Sequence, residues 1–459
     1  MYDQLKPLIS IILLLIVCAG NLQAQGDKPA EIQVTPYKTT MLANGVDKVL
    51  ITAKIIDSKG KDVSGLTRSV TYKIIGDAKL VTINNLDAET FRKSDSTWQT
   101  NLTGTSRIIL MAGNTRNPIK FEAKSDSLTT GATEIHTIQL GKPHKVTNDR
   151  YKPRTTPDKI LGADISFLPQ LESRGIKFSD NGVEKDAIAI LKDHGFNYIR
   201  LRIFNNPAQP KGYSPNRGFC DLEQTKQMAK RVRAAGMKFL LDFHYSDYWA
   251  DPQQQNKPAA WVGKDFNSLK DSVQAYTQHV MQQLKEQGTE PDMVQIGNEI
   301  NHGMIWPDGH INNLDSLAQL FYAGFKGIKA VSPQSIIMLH VALGGQAEES
   351  DFFYSSMHKR NVPYDVIGLS YYPKWHGTLD DLKSNIDYLS KKYKRQIMVA
   401  EYTHMKREVN EIAFTVPGGK GIGSFIWEPL NTWEAIFDRS GKSNELLDLY
   451  PEIADKYLK

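Results

Sequence analysis

The chain has 459 residues, enough for two ordinary domains, and its 40% hydrophobic and 23% charged content is that of a folded protein rather than a disordered one. Its 56 Lys and Arg stand against 51 Asp and Glu, a net charge of +5 with no basic block, which argues against a nucleic-acid partner.

The first segment reads as a targeting signal. Lys6 precedes the apolar run LISIILLLIVCAG, and LQAQ follows it. A charged start, an apolar core and a small residue at Ala24 predict a secretory signal over residues 1–24, cut after Ala24. The apolar run is shorter than the ~20 residues of a membrane span. Cys18 offers the alternative of a lipoprotein signal cut before it and acylated, although Leu-Ile-Val is a poor context for that cut. Both routes lead to secretion or the cell envelope (periplasm or cell surface), and the mature chain is expected to have no transmembrane span. Cys220 then remains as the sole unmodified thiol, so neither an intrachain disulfide nor a cysteine-built metal site is available.

Residues 25–140 carry short β-rich runs, KVLITAKIID, VTYKIIG, WQTNLT, SRIILMAG, IKFEAKSD and TEIHTIQL, parted by turn-rich pieces such as DSKGKD. Without helical periodicity, they predict an antiparallel all-β sandwich. The stretch MLANGVDKVLITAKIIDSKGKDV resembles the immunoglobulin-like modules appended to many secreted carbohydrate-active enzymes. No cluster of aromatics marks a binding face, so a spacer is expected rather than a sugar-binding module. Residues 141–158, within GKPHKVTNDRYKPRTTPDK, are polar and proline-containing and read as a linker.

From 159 to 459 strand-like and helical runs alternate. ILGADISF, NYIRLRIF, KFLLDFHY, MVQIGNE, SIIMLHVA, DVIGLSYY, QIMVAEY and GIGSFIWE are eight strand candidates. Between them, Asp221 can cap DLEQTKQMAKRVRAAG with Gly236 as its stop. Leu269, Val273, Tyr276, Val280 and Leu284 recur at helical spacing before Gly288. Eight βα units in this length predict an α/β fold, a (β/α)8 TIM barrel. An open doubly wound sheet would want a Gly-rich phosphate loop after its first strand, and ILGADISFLPQ has none.

A barrel carries its chemistry where strands end. Here the runs stop at Asp164, at Arg200 and Arg202, at DFHYSDYW, at Asn298-Glu299, at Tyr371-Tyr372, at Glu401-Tyr402 and at Trp427-Glu428. Only His244 and His340 lie on strands, which is poor for a metal centre, and no strand ends in a Schiff-base lysine. Two glutamates among aromatics, Glu299 and Glu401, suit glycoside cleavage, one protonating the leaving oxygen and the other attacking the sugar. Attack with retention needs the two carboxyls about 5–5.5 Å apart.

Five stretches, GADISFLPQLESRG, FNYIRLRIFNNP, LDFHYSDYWADPQQQNKPAAW, VQIGNEINHGMIWPDG and LSYYPKWHG, resemble glycoside hydrolase family 53, the endo-β-1,4-galactanases. The likeness runs from about Ile160 to Lys459. It implies a monomeric enzyme acting with retention on β-1,4-galactan. Glu299 would be the acid/base, Glu401 the nucleophile, and Arg200 the residue that orients Glu401. Asn298 would bond the sugar's 2-hydroxyl, and Tyr371 or Tyr372 would bond the nucleophile. His244, Asp247 and Trp249 of the third-strand motif would contact substrate, with Asp164 beside them at the first strand's end. Trp306 would line the cleft and Trp427 would floor the subsite of the attacked sugar. Trp249, Trp261 and Trp375 could equally pack the core. Some bacterial members carry a calcium-bearing loop after the nucleophile. Here only about 20 residues separate Glu401 from the last strand, so no metal or other cofactor is expected. A relative acting on mannan, xylan or β-glucan, or a non-catalytic galactan-binding protein, are the alternatives.

Overall fold

The computed structural model describes residues 28–63, 65–139, 141–432 and 434–459. The expected signal over 1–24, and Cys18 with it, lies outside the described residues. The chain divides into two compact units at residues 140/141.

The first unit is an all-β sandwich. One sheet has the order Pro29–Pro36, Lys48–Asp57, Thr105–Ala112, Ala78–Ile83, Leu86–Asp87. The other runs Thr40–Leu42, Gly131–Ile138, Ile119–Lys124, Thr67–Ile75, Thr97–Thr103, Arg92–Ser94. Alternation along KVLITAKIID buries Val49, Ile51, Ala53 and Ile55 against Val70, Tyr72, Trp98 and Phe121 of the opposite sheet. The six runs expected from the sequence are all strands. Five strands escaped that reading, three of them, Thr40–Leu42, Leu86–Asp87 and Arg92–Ser94, only two or three residues long. Pro29–Pro36 begins and ends in proline, tolerable because it is an edge strand. In Ala78–Ile83 a register shift after Leu80 breaks the alternation.

The second unit closes eight parallel strands into a barrel: β1 (Ile160–Asp164), β2 (Tyr198–Ile203), β3 (Lys238–Phe243), β4 (Met293–Ile296), β5 (Ile336–Val341), β6 (Val366–Tyr371), β7 (Gln396–Tyr402) and β8 (Gly421–Trp427). They are the eight runs predicted. Ile160, Tyr198, Leu240, Met338, Met398 and Phe425 belong to one buried cluster that fills the interior. Gly162 is required there, because a Cβ on it would lie 2.2 Å from the Phe425 ring. The helix Leu222–Ala234 starts where Asp221 accepts from the Gln224 amide at 2.8 Å, and Gly236 follows it at φ +69°. The helix Phe266–Glu286 buries Leu269, Val273, Val280 and Leu284.

Residues 141–158, polar enough to read as a linker, are bonded to the barrel where β6 and β7 begin. Tyr151 Oη and the Arg154 amide both donate to Asp365 Oδ1, at 2.9 and 2.7 Å. Thr156 exchanges two bonds with the Gln396 side chain, at 2.8 and 2.9 Å. Such a segment shows no periodicity because its backbone, rather than an apolar face, makes the contacts.

Candidate active site

Two local irregularities build the site. β4 stops at Ile296, Gly297 follows at φ +81°, and Glu299 itself sits in the left-handed region at φ +47°, ψ +53°. That conformation costs a non-glycine residue about 1–3 kcal/mol and clusters at functional sites. On β7, Met398 and Ala400 belong to the interior cluster, so strict alternation would turn Glu401 outward. A register shift intervenes: Leu369 pairs with Val399, but Ser370 pairs with Glu401. The extra residue re-aims Glu401 toward the barrel axis, while Tyr402 turns out to meet Tyr450 at 3.0 Å.

Arg200 on β2 is the centre of the charge arrangement, with 1% of its surface exposed. Its guanidinium donates to Asp164, Asp242 and Glu401, each at 2.8 Å. It also reaches Asn298 Oδ1 at 2.8 Å and Gln295 Oε1 at 3.2 Å. One cation thus serves three carboxylates, each hydrogen-bonded to it, although Asp242 Oδ1 is buried without a hydrogen-bond partner among the described residues. Burial alone would raise Asp242, but Arg200 and His244 outweigh it and hold its carboxyl below the usual value.

The two glutamates differ in their partners. Glu401 accepts from Arg200 and from Tyr372 Oη, the latter at 3.1 Å. Burial pushes its carboxyl up to about 7 against the pull of Arg200. Glu299 accepts one bond, from Ser370 Oγ at 2.6 Å, and no cation pairs with it among the described residues. Burial, then the charge of Glu401, raise it well above the ordinary carboxylate range. With no cation beside Glu299 and Arg200 beside Glu401, the environments favour the proton on Glu299 and the charge on Glu401. A carboxylic acid beside a carboxylate held by an arginine is the equipment of an acid and a nucleophile.

A family model described as glycosyl hydrolase family 53 matches residues 160–413, more than half of the chain. The chain belongs to glycosyl hydrolase family 53. An endo-β-1,4-galactanase of Bacillus subtilis is 33% identical over 304 residues, 59% of this chain and 70% of that protein. An arabinogalactan endo-β-1,4-galactanase A of Aspergillus niger is 31% identical over 324 residues, 63% of this chain and 90% of that one. Among solved structures, a family 53 catalytic domain of Ignisphaera aggregans is 32% identical with a TM-score of 0.60, covering 65% of this chain and 98% of its own. A model of the glycoside hydrolase family 2 C-terminal domain 5 matches residues 32–134 of the sandwich.

Within this family 53 barrel, several strand-end residues lie behind the site and not at its surface. Asp164, expected at the substrate, is fully buried and divided among Arg200, Ser166 and, at 3.8 Å, Arg202, a placement behind Arg200. His244 accepts from the Ala250 amide through Nδ1 and meets Asp242 through Nε2, which leaves no ring nitrogen for a sugar. Asp247 accepts from the Asn206 and Ala259 amides and staples two loops together. Of the two tyrosines left open by the sequence, Tyr372 donates to Glu401, while Tyr371 donates to the Gly377 carbonyl. Asn298 Oδ1 accepts from Arg200, and Nδ2 donates to the Ala250 carbonyl, leaving one N–H without a partner among the described residues.

The aromatics sort in the same way. Trp249 and Trp427 are half-buried and meet at 6.3 Å, each edge-on to Phe167. Arg202 lies 4.4 Å beneath Trp249 and is paired with Glu428, whose carboxyl burial pushes up to about 8. Trp306 is half-buried, with its indole N–H held by the His302 carbonyl at 2.9 Å. Trp261 is buried against Tyr245 and Tyr276 and is a core residue, whereas Trp375 is 46% exposed beside Tyr372. Sequence reading gave no role to Asp242, Gln295, His340 and Ser370, which are buried polar groups inside otherwise apolar strands. Such a group needs a partner, and that need is the signal that could have revealed them. Among the described residues no group of three or more His, Cys, Asp or Glu is placed to hold a metal ion.

Proposed function

We propose that this protein is an exported endo-β-1,4-galactanase that cleaves the galactan side chains of pectin with retention of configuration. The observation that carries the chemistry is the unequal pair: Glu299 with a hydroxyl donor alone, Glu401 with Arg200 and Tyr372. In the first step Glu401 attacks the anomeric carbon while Glu299 gives its proton to the departing glycosidic oxygen. In the second, Glu299 takes a proton from water, which displaces Glu401 and restores the configuration. The half-buried faces of Trp249, Trp306 and Trp427 suit the apolar faces of sugar rings, and the remaining N–H of Asn298 suits a 2-hydroxyl. The galactan reading is supported by the names of the B. subtilis and A. niger relatives. No helix among the described residues is long and apolar enough to cross a membrane.

The test is incubation of the mature protein with linear β-1,4-galactan, with NMR of the first-formed reducing ends. Galacto-oligosaccharides released initially as the β-anomer are expected. Initial α-anomer would overturn retention, and comparable rates on mannan, xylan or β-glucan would overturn the substrate.

A further inference from the structure

Between the two glutamates lies a file of buried polar side chains that the double-displacement reading leaves without a task. Gln295 on β4, His340 on β5 and Ser370 on β6 are all fully buried. Gln295 Oε1 lies 3.3 Å from Arg200 Nε, and Gln295 Nε2 lies 3.1 Å from His340 Nδ1. His340 Nε2 is 2.8 Å from Ser370 Oγ, which is 2.6 Å from Glu299 Oε1.

Donor and acceptor rules give this file a direction. A guanidinium only donates, so the Gln295 oxygen must face Arg200 and its NH2 must face the imidazole. The two amide hydrogens face three acceptors, the Gly297 carbonyl at 3.0 Å, Asn298 Oδ1 at 3.1 Å and His340 Nδ1 at 3.1 Å; with one on Gly297 the other lies against Nδ1, which accepts it when the ring proton is on Nε2. Nε2–H donates to Ser370 Oγ, which leaves the hydroxyl proton to be given to Glu299 Oε1. The opposite tautomer would make Asn298 Oδ1, at 3.1 Å from Nδ1, accept from His340 as well as from Arg200 and Gln295. Three donors would then share two lone pairs. Burial, with Arg200 next, pushes His340 well below its ordinary value, so the ring is neutral and one tautomer must be chosen. The charged or titratable groups acting on it are Arg200, Asp242, His244 and His376.

Resting on the double-displacement reading, we propose that Gln295, His340 and Ser370 form a one-way hydrogen-bond chain from Arg200 that keeps the acidic proton of Glu299 on Oε2. Oε1 is always occupied as an acceptor, and Oε2 has no protein partner among the described residues, so the proton is presented where a glycosidic oxygen can take it. Arg200 therefore governs both glutamates: directly it pairs with the nucleophile, and through three side chains it orients the acid. Ser370 and His340 are positioning residues. The hydroxyl of Ser370 also stabilises the ionised form of Glu299, the state left after proton donation.

The direct test is nitrogen-15 NMR of His340 in wild-type protein, assigned by its loss in His340→Phe. A pyrrole-type Nε2 and a pyridine-type Nδ1 are expected throughout the pH range of activity. A pyridine-type Nε2, or a ring protonated at both nitrogens, would overturn the chain. This readout needs no substrate, so it stands apart from the galactan reading, which fails only if wild-type protein leaves galactan uncut. Kinetics supply the second arm. In Ser370→Ala, kcat/KM on galactan should fall about 10–100-fold, part of the ~10²–10⁴ a general acid supplies. Glycosylation by an aryl galactobioside with a good leaving group should change little. Without its donor, ionised Glu299 is less stable, so the alkaline limb of the pH profile should move to higher pH, and Ser370→Thr should restore it. Equal losses on both substrates with an unmoved limb would reduce Ser370 to a structural role and overturn the proposal.

Discussion

The ends of β4 and β7 each present a glutamate, half-buried at β4 and buried at β7, yet they are constructed from opposite materials. At β7 a bulge turns Glu401 toward a cation and a phenol; at β4 a left-handed turn holds Glu299 against a single hydroxyl. Under the proposed mechanism the same side chain in the same kind of barrel position serves as an anion at one strand end and as an acid at the other. Role follows from the donors supplied, not from the residue type.

The comparison breaks most sharply on removal of each carboxyl. Glu401→Ala eliminates the attacking group and should abolish turnover of every substrate. Glu299→Ala should cost the ~10²–10⁴-fold of a general acid/base on galactan, roughly 3–5 kcal/mol. It should still be glycosylated by an aryl galactobioside, after which azide should restart the stalled second step and give a β-galactobiosyl azide. Azide rescue of Glu401→Ala to β-product, with none for Glu299→Ala, would reverse the assignment.

Arg200 comes next. Arg200→Met leaves Asp242 and Glu401 buried without that cation and Asp164 with Arg202 alone, at 3.8 Å, and breaking such a network costs about 3–5 kcal/mol of stability. Arg202→Met unpairs Glu428 and should unfold the barrel more easily as well, but should leave more of the activity, because Arg202 touches neither glutamate of the pair. Denaturant melts with kcat/KM check this. Equal activity losses would remove the distinction between the two arginines.

The carboxyl shifts carry a pH signature. With Glu401 attacking as the anion and Glu299 donating its proton, as proposed, kcat/KM should rise with pH through about 7 and fall again as Glu299 loses its proton. A maximum in the ordinary carboxylate range, roughly pH 4–5, would contradict these environments. The smallest contrast is between neighbours. Tyr372→Phe removes a donor to the nucleophile and should lower kcat about tenfold, a net hydrogen bond to a charged group being worth ~1.5–3 kcal/mol. Tyr371→Phe loses only its bond to the Gly377 carbonyl and should act mainly on stability.

Much of this was legible in the sequence. The eight strands could be read because a barrel covers both faces of each one, giving continuous apolar runs. Glu299 and Glu401 stood out as charges where such runs stop. What escaped reading depends on three-dimensional closure. Asp164, His244 and Asp247 sit at strand ends like the glutamates, and only their occupied hydrogen bonds reveal them as support. Ser370 lies in LSYY, and nothing in that string tells that a bulge on the next strand sets it opposite Glu401. Residues 141–158 had the composition of a linker, and their bonds to Asp365 and Gln396 have no periodic signature. A chain starting at residue 141 should therefore melt with the intact barrel, and one starting at 159 should melt earlier. Equal melting temperatures would show those bonds to be without consequence.

The claim that Glu401 attacks while Glu299 donates is most directly tested by trapping. A 2-deoxy-2-fluoro galactobioside with a good leaving group slows both steps, and the leaving group restores the first, so the glycosyl-enzyme should accumulate. Peptide mapping by mass spectrometry should place the sugar on Glu401. A label on Glu299, or a protein turned over without any covalent intermediate, would contradict the assignment.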